Sequence, residues 1–326
     1  MRLCMIGARG HSGYVTGMLS SLPEVRLTAI CGGDGLPPAV LRKQTSQFSP
    51  TEYLDWREML SQEMPDVLSV DGPFELHAEM CVAALKQNIH VFCEKPIALS
   101  FADLERIEEA HAAGSGKLIS MTALRYEPCF LTAHDLTMSG AIGEVMLIQA
   151  QKSYKLGQRP DFYKRRGSYG GTISWVGSHA IDWIQWFSGS PFASVSATQT
   201  CRNNQDHGQL EVACQCQFSM KNGILAQASL DFLRPGSAPT HGDDRIRVVG
   251  ATGILEVVNG EVIIIDCNGK RKIETLRKPE LPIFSSFIAS IKGGDACLTD
   301  AKETFALCRA CLKAQQAADE GGIVEF

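Results

Sequence analysis

The sequence predicts a chain in two parts: a doubly wound, parallel α/β sheet over residues 1–122, then an α+β part over residues 123–326 with an open, mostly antiparallel sheet. Three observations carry this. Gly7, Gly10 and Gly13 stand between the apolar run of residues 3–6 and a helix-like stretch. From there to Thr122, short apolar strands alternate with helical patterns, the order that produces a parallel sheet with helical crossovers. Beyond Thr122 the strands lengthen and are joined by turn sequences, as in an antiparallel sheet.

The elements follow in order. Residues 3–6 read as the first strand, the glycine loop leads into a helix ending near Ser20, and residues 25–31 form the second strand. Asp55-Trp56-Arg57-Glu58 has the form of a capping box, which satisfies the open N–H groups of a first helical turn. Residues 67–70 are a strand. Residues 75–87 carry Leu76, Met80, Ala83, Ala84 and Gln87 near helical period. A strand at 89–93 follows, then a helix capped by Ser100 and Asp103 that runs to about 113, then a strand at 117–121. In the second part, a helix at 127–139 ends at Gly140 and Gly143, and 145–153 alternates like a half-exposed strand. Further strands at 194–200, 209–219, 223–232, 244–249, 253–258 and 261–265 are separated by turn signals such as Lys221-Asn222-Gly223 and Asn259-Gly260. Helices at 283–291 and 301–318 close the chain, the last expected to pack back on the first domain.

At 326 residues and 44% hydrophobic content, the chain can bury two cores. A net charge of -5 and the absence of a basic stripe argue against nucleic acid as a partner. No apolar run approaches the ~20 residues of a membrane span, so no membrane partner is expected. Residues 1–6 run straight into the glycine loop, so a cleavable leader would have to include the first strand. Twelve cysteines are scattered through apolar segments. That pattern fits buried free thiols in a reducing, cytoplasmic setting, and no metal is expected. Cys308 and Cys311 share a helical face and Cys214 and Cys216 an alternating strand, so both pairs read as core.

The spacing of Gly7, Gly10 and Gly13 between strand and helix suits a loop whose backbone turns sharply and approaches a pyrophosphate. Arg9 takes the place of the middle glycine of the commoner motif. The second strand ends Ile30-Cys31-Gly32-Gly33-Asp34. A carboxylate for a ribose 2′-hydroxyl belongs near Gly32, and Asp34 comes two residues late. NAD and NADP both stay open, with Arg9 a possible partner of a 2′-phosphate. Glu94-Lys95-Pro96 follows the strand 89–93. Pro96 stops the strand and stiffens the turn that aims Lys95, at the strand end where open α/β sheets place ligands.

Taken with Pro73-Phe-Glu-Leu-His77, Arg125-Tyr-Glu-Pro128, Gly170-Gly171, Gly177-Ser-His179-Ala-Ile-Asp182 and Asp243-Asp-Arg245, these motifs resemble the Gfo/Idh/MocA oxidoreductases over nearly the whole chain. The resemblance implies a Rossmann domain and a second domain, with a nicotinamide dinucleotide, NAD or NADP, in the crevice between them. It implies reversible hydride transfer with a sugar-like, cyclitol or other cyclic alcohol or ketone, a small-molecule polyol substrate. It also implies pairing of copies through the C-terminal sheet, as a homodimer or homotetramer. Lys95 would contact cofactor and substrate, and His179 would take the proton, a task for which an imidazole titrates at a suitable pH. The cofactor set would be Gly7, Arg9, Gly10, His11, Ser12, Gly13, Asp34, Pro73, His77, Glu94 and Lys95.

One departure stands out. Many members carry Asp four residues before the His, and here that residue is Trp175. Trp175 cannot orient an imidazole as a carboxylate would, but it can form an aromatic wall against a sugar ring. Arg125, Tyr163, Arg166, Trp175 and Asp182 form the candidate substrate set, with Asp182 supporting local structure. Two other readings stay open: a glycosidase that retains its NAD, and a dinucleotide-binding sensor without turnover.

Overall fold

The structure is a computed structural model and describes residues 1–273, 275–294 and 297–326. It divides into two compact units, Met1–Thr122 with Glu280–Phe305, and Ala123–Pro279 with Ala306–Phe326. Residues 280–305 therefore return to the first unit, although they lie beyond the boundary drawn from the sequence.

In the first unit, β1 (Arg2–Ile6), β2 (Arg26–Cys31), β3 (Thr51–Tyr53), β4 (Val67–Val70), β5 (His90–Cys93) and β6 (Leu118–Ser120) form one sheet. All its pairs are parallel, in the order β3-β2-β1-β4-β5-β6. The chain builds outward from β1 on one side and from β4 on the other. Their carboxyl ends are thus the switch point where such sheets open a ligand crevice. Both faces are covered, so the central strands are continuously apolar: Leu3, Cys4, Met5 and Ile6 are all 0% exposed. Phe92 on β5 packs against Phe284 and Phe287, at 5.3 and 5.7 Å between ring centroids. This anchors the helix Ile283–Ile291 in the first unit.

Local signals hold at the caps. Ser100 accepts the Asp103 N–H at 3.1 Å and opens the helix Phe101–Ala112. Asp55 opens Trp56–Glu63 by accepting the Arg57 N–H at 2.7 Å. The helix expected after the glycine loop is a single turn, Gly13–Thr16, followed by a 3-10 turn at Leu19–Ser21. Two glycines, Val15, Thr16 and two serines give that stretch little helix propensity. The helix Ala39–Thr45 and strand β3 carry too weak a periodicity to be read beforehand.

The second unit holds β7 (Val145–Tyr154), β8 (Phe192–Thr200), β9 (Ala213–Met220), β10 (Leu225–Asp231), β11 (Gly242–Gly250), β12 (Gly253–Val258), β13 (Glu261–Asp266), β14 (Gly269–Ile273) and β15 (Ile323–Glu325). They form a sheet in the order β14-β13-β12-β11-β7-β10-β9-β8-β15. Among the described residues its pairs are antiparallel except β7 with β10. That exception follows from the helical segment and two strands between them, which bring the chain back in the same direction. Inward residues such as Ile148, Cys216, Phe218, Leu230 and Val248 pack against Ile181, Trp183, Ile184 and Phe187 of the helix Ser178–Ser188. The outward face carries Gln149, Gln215, Gln217 and Gln227 beside the exposed Leu225 and Met146. Cys4 and Cys216 are free thiols. Burial pushes them up to about 11 and about 12, where they are inert. Among the described residues no helix is long and apolar enough to cross a membrane.

Candidate active site

The first unit gathers the glycine loop, the ends of β4 and β5 and the start of the helix His77–Leu85. Gly7 has φ +75°, and a Cβ there would lie 2.3 Å from the Gly72 Cα. Its N–H closes on the Cys31 carbonyl at 2.8 Å. A Cβ on Gly10 would lie 2.4 Å from Glu94 Oε2, whereas one on Gly13 would meet nothing within 4 Å. Two of the glycines thus admit the chain's own close approach, and the third leaves open space beside the loop. Gly7→Ala combines an unfavourable φ with a backbone clash. It should lower the thermal unfolding midpoint by several degrees and weaken dinucleotide binding at least tenfold, measured by thermal scan and fluorescence titration.

Arg9 leans toward two carboxylates, 3.9 Å from Asp34 and 3.7 Å from Glu75. Asp34 also caps its own turn through the Leu36 N–H at 3.1 Å. Ser12 is buried and donates to Gln44 at 3.0 Å. Pro73 opens the short turn Phe74–Leu76, with its ring against Gly33. The ring nitrogens of buried His77 lie 2.9 Å from the Pro96 carbonyl and 3.2 Å from that of Gly72. His77 thereby ties the turn after β4 to the turn after β5, and burial holds its pKa below the usual histidine value.

Glu94 is fully buried. One carboxylate oxygen accepts the Lys95 N–H at 2.8 Å, and the other lies 2.5 Å from His11 Nδ1. The His11 ring stacks on Tyr14. Burial alone would raise the Glu94 pKa, but the charges of His11 and Lys95 outweigh it and hold the group below the usual carboxylate value. Lys95 is itself buried, its Nζ 4.0 Å from Glu94. A cis peptide bond joins it to Pro96.

In the second unit, His179 is buried in the first turn of Ser178–Ser188. Asp182, three residues on and near the same face, holds Arg125 in a fork: Nη2 to Oδ1 at 2.7 Å and Nε to Oδ2 at 2.9 Å. Their side chains are 1% and 3% exposed. The guanidinium also lies over Trp186. Trp175 is buried and meets the Tyr163 ring edge-on at 6.5 Å; Tyr163 in turn meets Tyr169 at 5.5 Å. Arg166 pairs with buried Glu211 and, at 3.2 Å, with Asp319. Glu211 also takes the Tyr169 hydroxyl and the Thr172 N–H. Burial and then Glu211 push the Tyr169 phenol well above its ordinary value.

Two groups escaped the sequence reading. Lys152 is 2% exposed, its Nζ 2.5 Å from Asp244 and over the rings of Tyr154 and Trp183. Burial depresses its pKa against the pull of Asp244. The signal was available: positions 148, 150 and 152 of an alternating strand share the inward face. The other is Asp71, at the carboxyl end of β4. Its Oδ1 accepts the Gly10 N–H at 2.6 Å.

A parallel sheet with this strand order, a glycine loop at its switch point and a buried lysine at a neighbouring strand end define a dinucleotide-binding α/β unit. Comparison with known proteins agrees. Residues 1–122 match the model described as an oxidoreductase family with an NAD-binding Rossmann fold, and residues 130–256 match the GFO/IDH/MocA C-terminal domain. A solved structure from Thermotoga maritima, described as a "putative oxidoreductase", is 42% identical, covers 100% of both chains and superposes with TM-score 0.95. The chain belongs to the Gfo/Idh/MocA family of oxidoreductases. Inositol 2-dehydrogenase of Salmonella typhimurium is 25% identical over 186 residues, 56% of this chain and 53% of the relative, so the match spans about half the length of that protein. Levoglucosan dehydrogenase, solved with NADH and levoglucosan, shares the fold at 16% identity and TM-score 0.84, covering 100% of this chain and 99% of that one.

Proposed function

We propose that the protein catalyses reversible hydride transfer between NAD and a secondary-alcohol carbon of a small polyhydroxylated or cyclic substrate. The observation that supports it most is the buried Lys95 at the end of β5, in the same unit as a glycine loop with open space at Gly13. The loop, Asp71 and Asp34 suit a dinucleotide: close-approach glycines, a buried carboxyl oxygen without a partner, and an acid after β2. Bound nicotinamide supplies the hydride acceptor. The remaining work falls to side chains. Lys95 positions the hydroxyl and its charge favours the developing alkoxide. His179 accepts the proton, as the family resemblance implies. Arg125 and Asp182 hold the helix that presents His179, and the rings of Trp175 and Tyr163 offer an apolar face to a sugar ring.

Asp34 and Glu75 already flank Arg9, so a 2′-phosphate would meet two carboxylates there. NADH should therefore bind about tenfold or more tightly than NADPH, a difference of about 1.4 kcal/mol or more. Titration of the protein with each, following quenching of its tryptophans, checks this; tighter binding of NADPH would contradict the assignment. His179→Asn should lower kcat by roughly 10²–10⁴-fold, the usual worth of a general acid–base. An unchanged kcat would remove His179 from the proton-transfer step.

A further inference from the structure

Asp71 is the least expected group in the first unit. It is 0% exposed, its Oδ1 takes the Gly10 N–H, and its Oδ2 is buried with no hydrogen-bond partner. The Ser12 N–H also points toward this carboxyl. It thus sits on the backbone donors of the glycine loop, where a dinucleotide brings its own negative charge. An ionised Asp71 would compete with that charge and repel it.

The surroundings argue against ionisation. From the end of β5, Glu94, Lys95 and Cys93 face Asp71, and from the glycine loop His11 approaches through Glu94. Arg9 contributes its backbone here, its N–H donating to the Asp71 carbonyl at 3.0 Å, while its guanidinium lies by Asp34 and Glu75. On the helix side, His77 is engaged with the Pro96 and Gly72 carbonyls. Glu94 lies beside His11 and Lys95, and the pull of Lys95 on Asp71 is weaker than the burial and the Glu94 charge that oppose it. Asp71 has burial and the Glu94 charge against its ionisation, and both push its pKa well above the ordinary carboxyl value. Two acids in one buried pocket are driven apart in this way when one of them takes the available cations.

We propose that Asp71 is the neutral member of a carboxyl pair with Glu94 beneath the glycine loop, and that the negative charge of a dinucleotide on that loop strengthens its hold on the proton, so that above its free-state titration cofactor binding takes up a proton. The inference rests on the dinucleotide-binding assignment of the glycine loop. The sign follows from linkage. In the free protein, Asp71 loses its proton as pH rises through its raised pKa. In the complex, the added negative charge holds the proton to higher pH. Affinity is therefore level below the free-state titration and falls above it, by up to about tenfold per pH unit.

The test is a titration of the full chain with NADH from mildly acidic to alkaline pH, paired with calorimetry in buffers of different ionisation enthalpy. Wild type should bind less tightly as pH rises and take up protons on binding. Asp71→Asn keeps a donor at the same position and does not titrate, so it should retain affinity within a few-fold and lose both the slope and the uptake. His11→Gln takes a partner from Glu94, so it should move the slope along the pH axis without abolishing it or the uptake, separating Asp71 from His11. Flat wild-type affinity without proton uptake would overturn the proposal, as would an Asp71→Asn variant that keeps the slope. Should that variant fail to fold, the wild-type uptake and its survival in His11→Gln still decide. Absence of NADH binding at every pH would overturn the cofactor assignment and the Asp71 proposal together, a result distinct from pH-independent binding.

Discussion

Replacing Lys95 with Ala should abolish measurable turnover, a loss on the order of 10²–10³-fold or more, while leaving dinucleotide affinity within a few-fold. The size follows from where the charge stands. Lys95 is buried with Glu94 beside it, and a preorganised cation in a water-poor pocket stabilises a developing alkoxide far more than it would in solvent. The dinucleotide's grip is expected to rest chiefly on the glycine loop and on Asp34. The check is steady-state kinetics beside a binding titration of the same variant. Undiminished kcat would remove Lys95 from the chemistry. A large loss of binding with kcat kept would make it a cofactor anchor instead.

The second large effect concerns stability. Arg125 and Asp182 form a forked ion pair with side chains 1% and 3% exposed. Asp182→Ala leaves a buried guanidinium without its counter-charge, which costs roughly 3–5 kcal/mol. That is a large fraction of the stability of an ordinary domain. Chemical denaturation should show a strongly lowered midpoint. The double replacement Arg125→Met with Asp182→Leu removes both charges and should recover most of the loss. A single variant that denatures like wild type would show that the pair is not the clamp its geometry describes. If the clamp also presents His179, the double variant should regain stability without regaining kcat.

Much of the architecture was legible because period and punctuation agree with burial. The helix Ile283–Ile291 was read to the residue, and Ser100 capped where its sequence said it would. The membership of that helix was not legible. It lies near the end of the chain, and distant contacts assign it to the first unit: Phe284 and Phe287 stack on Phe92, and Lys117 Nζ donates to the Ser290 carbonyl. The parallel pairing of β7 with β10 was hidden for a related reason: the short turns between residues 161 and 175 had no clear period, so the chain's return could not be followed.

In the site, glycines and the Glu94-Lys95-Pro96 turn declare themselves because few residue types satisfy those backbone demands. Arg166 shows the opposite case. A basic loop suggests ligand recognition, yet this arginine is paired with Glu211 and Asp319, acids 45 and 153 residues away along the chain. Asp71 was passed over because a lone acid at a strand end is unremarkable until the Gly10 N–H and Glu94 are seen beside it.

The measurement that bears most directly on the central claim is the appearance of reduced nicotinamide when the protein is mixed with NAD and each member of a panel of cyclitols, aldoses and anhydrosugars. Turnover with at least one member, absent in Lys95→Ala, is the predicted result. Saturable NADH binding with no reduction across the whole panel would contradict catalysis and leave a dinucleotide-binding protein without turnover.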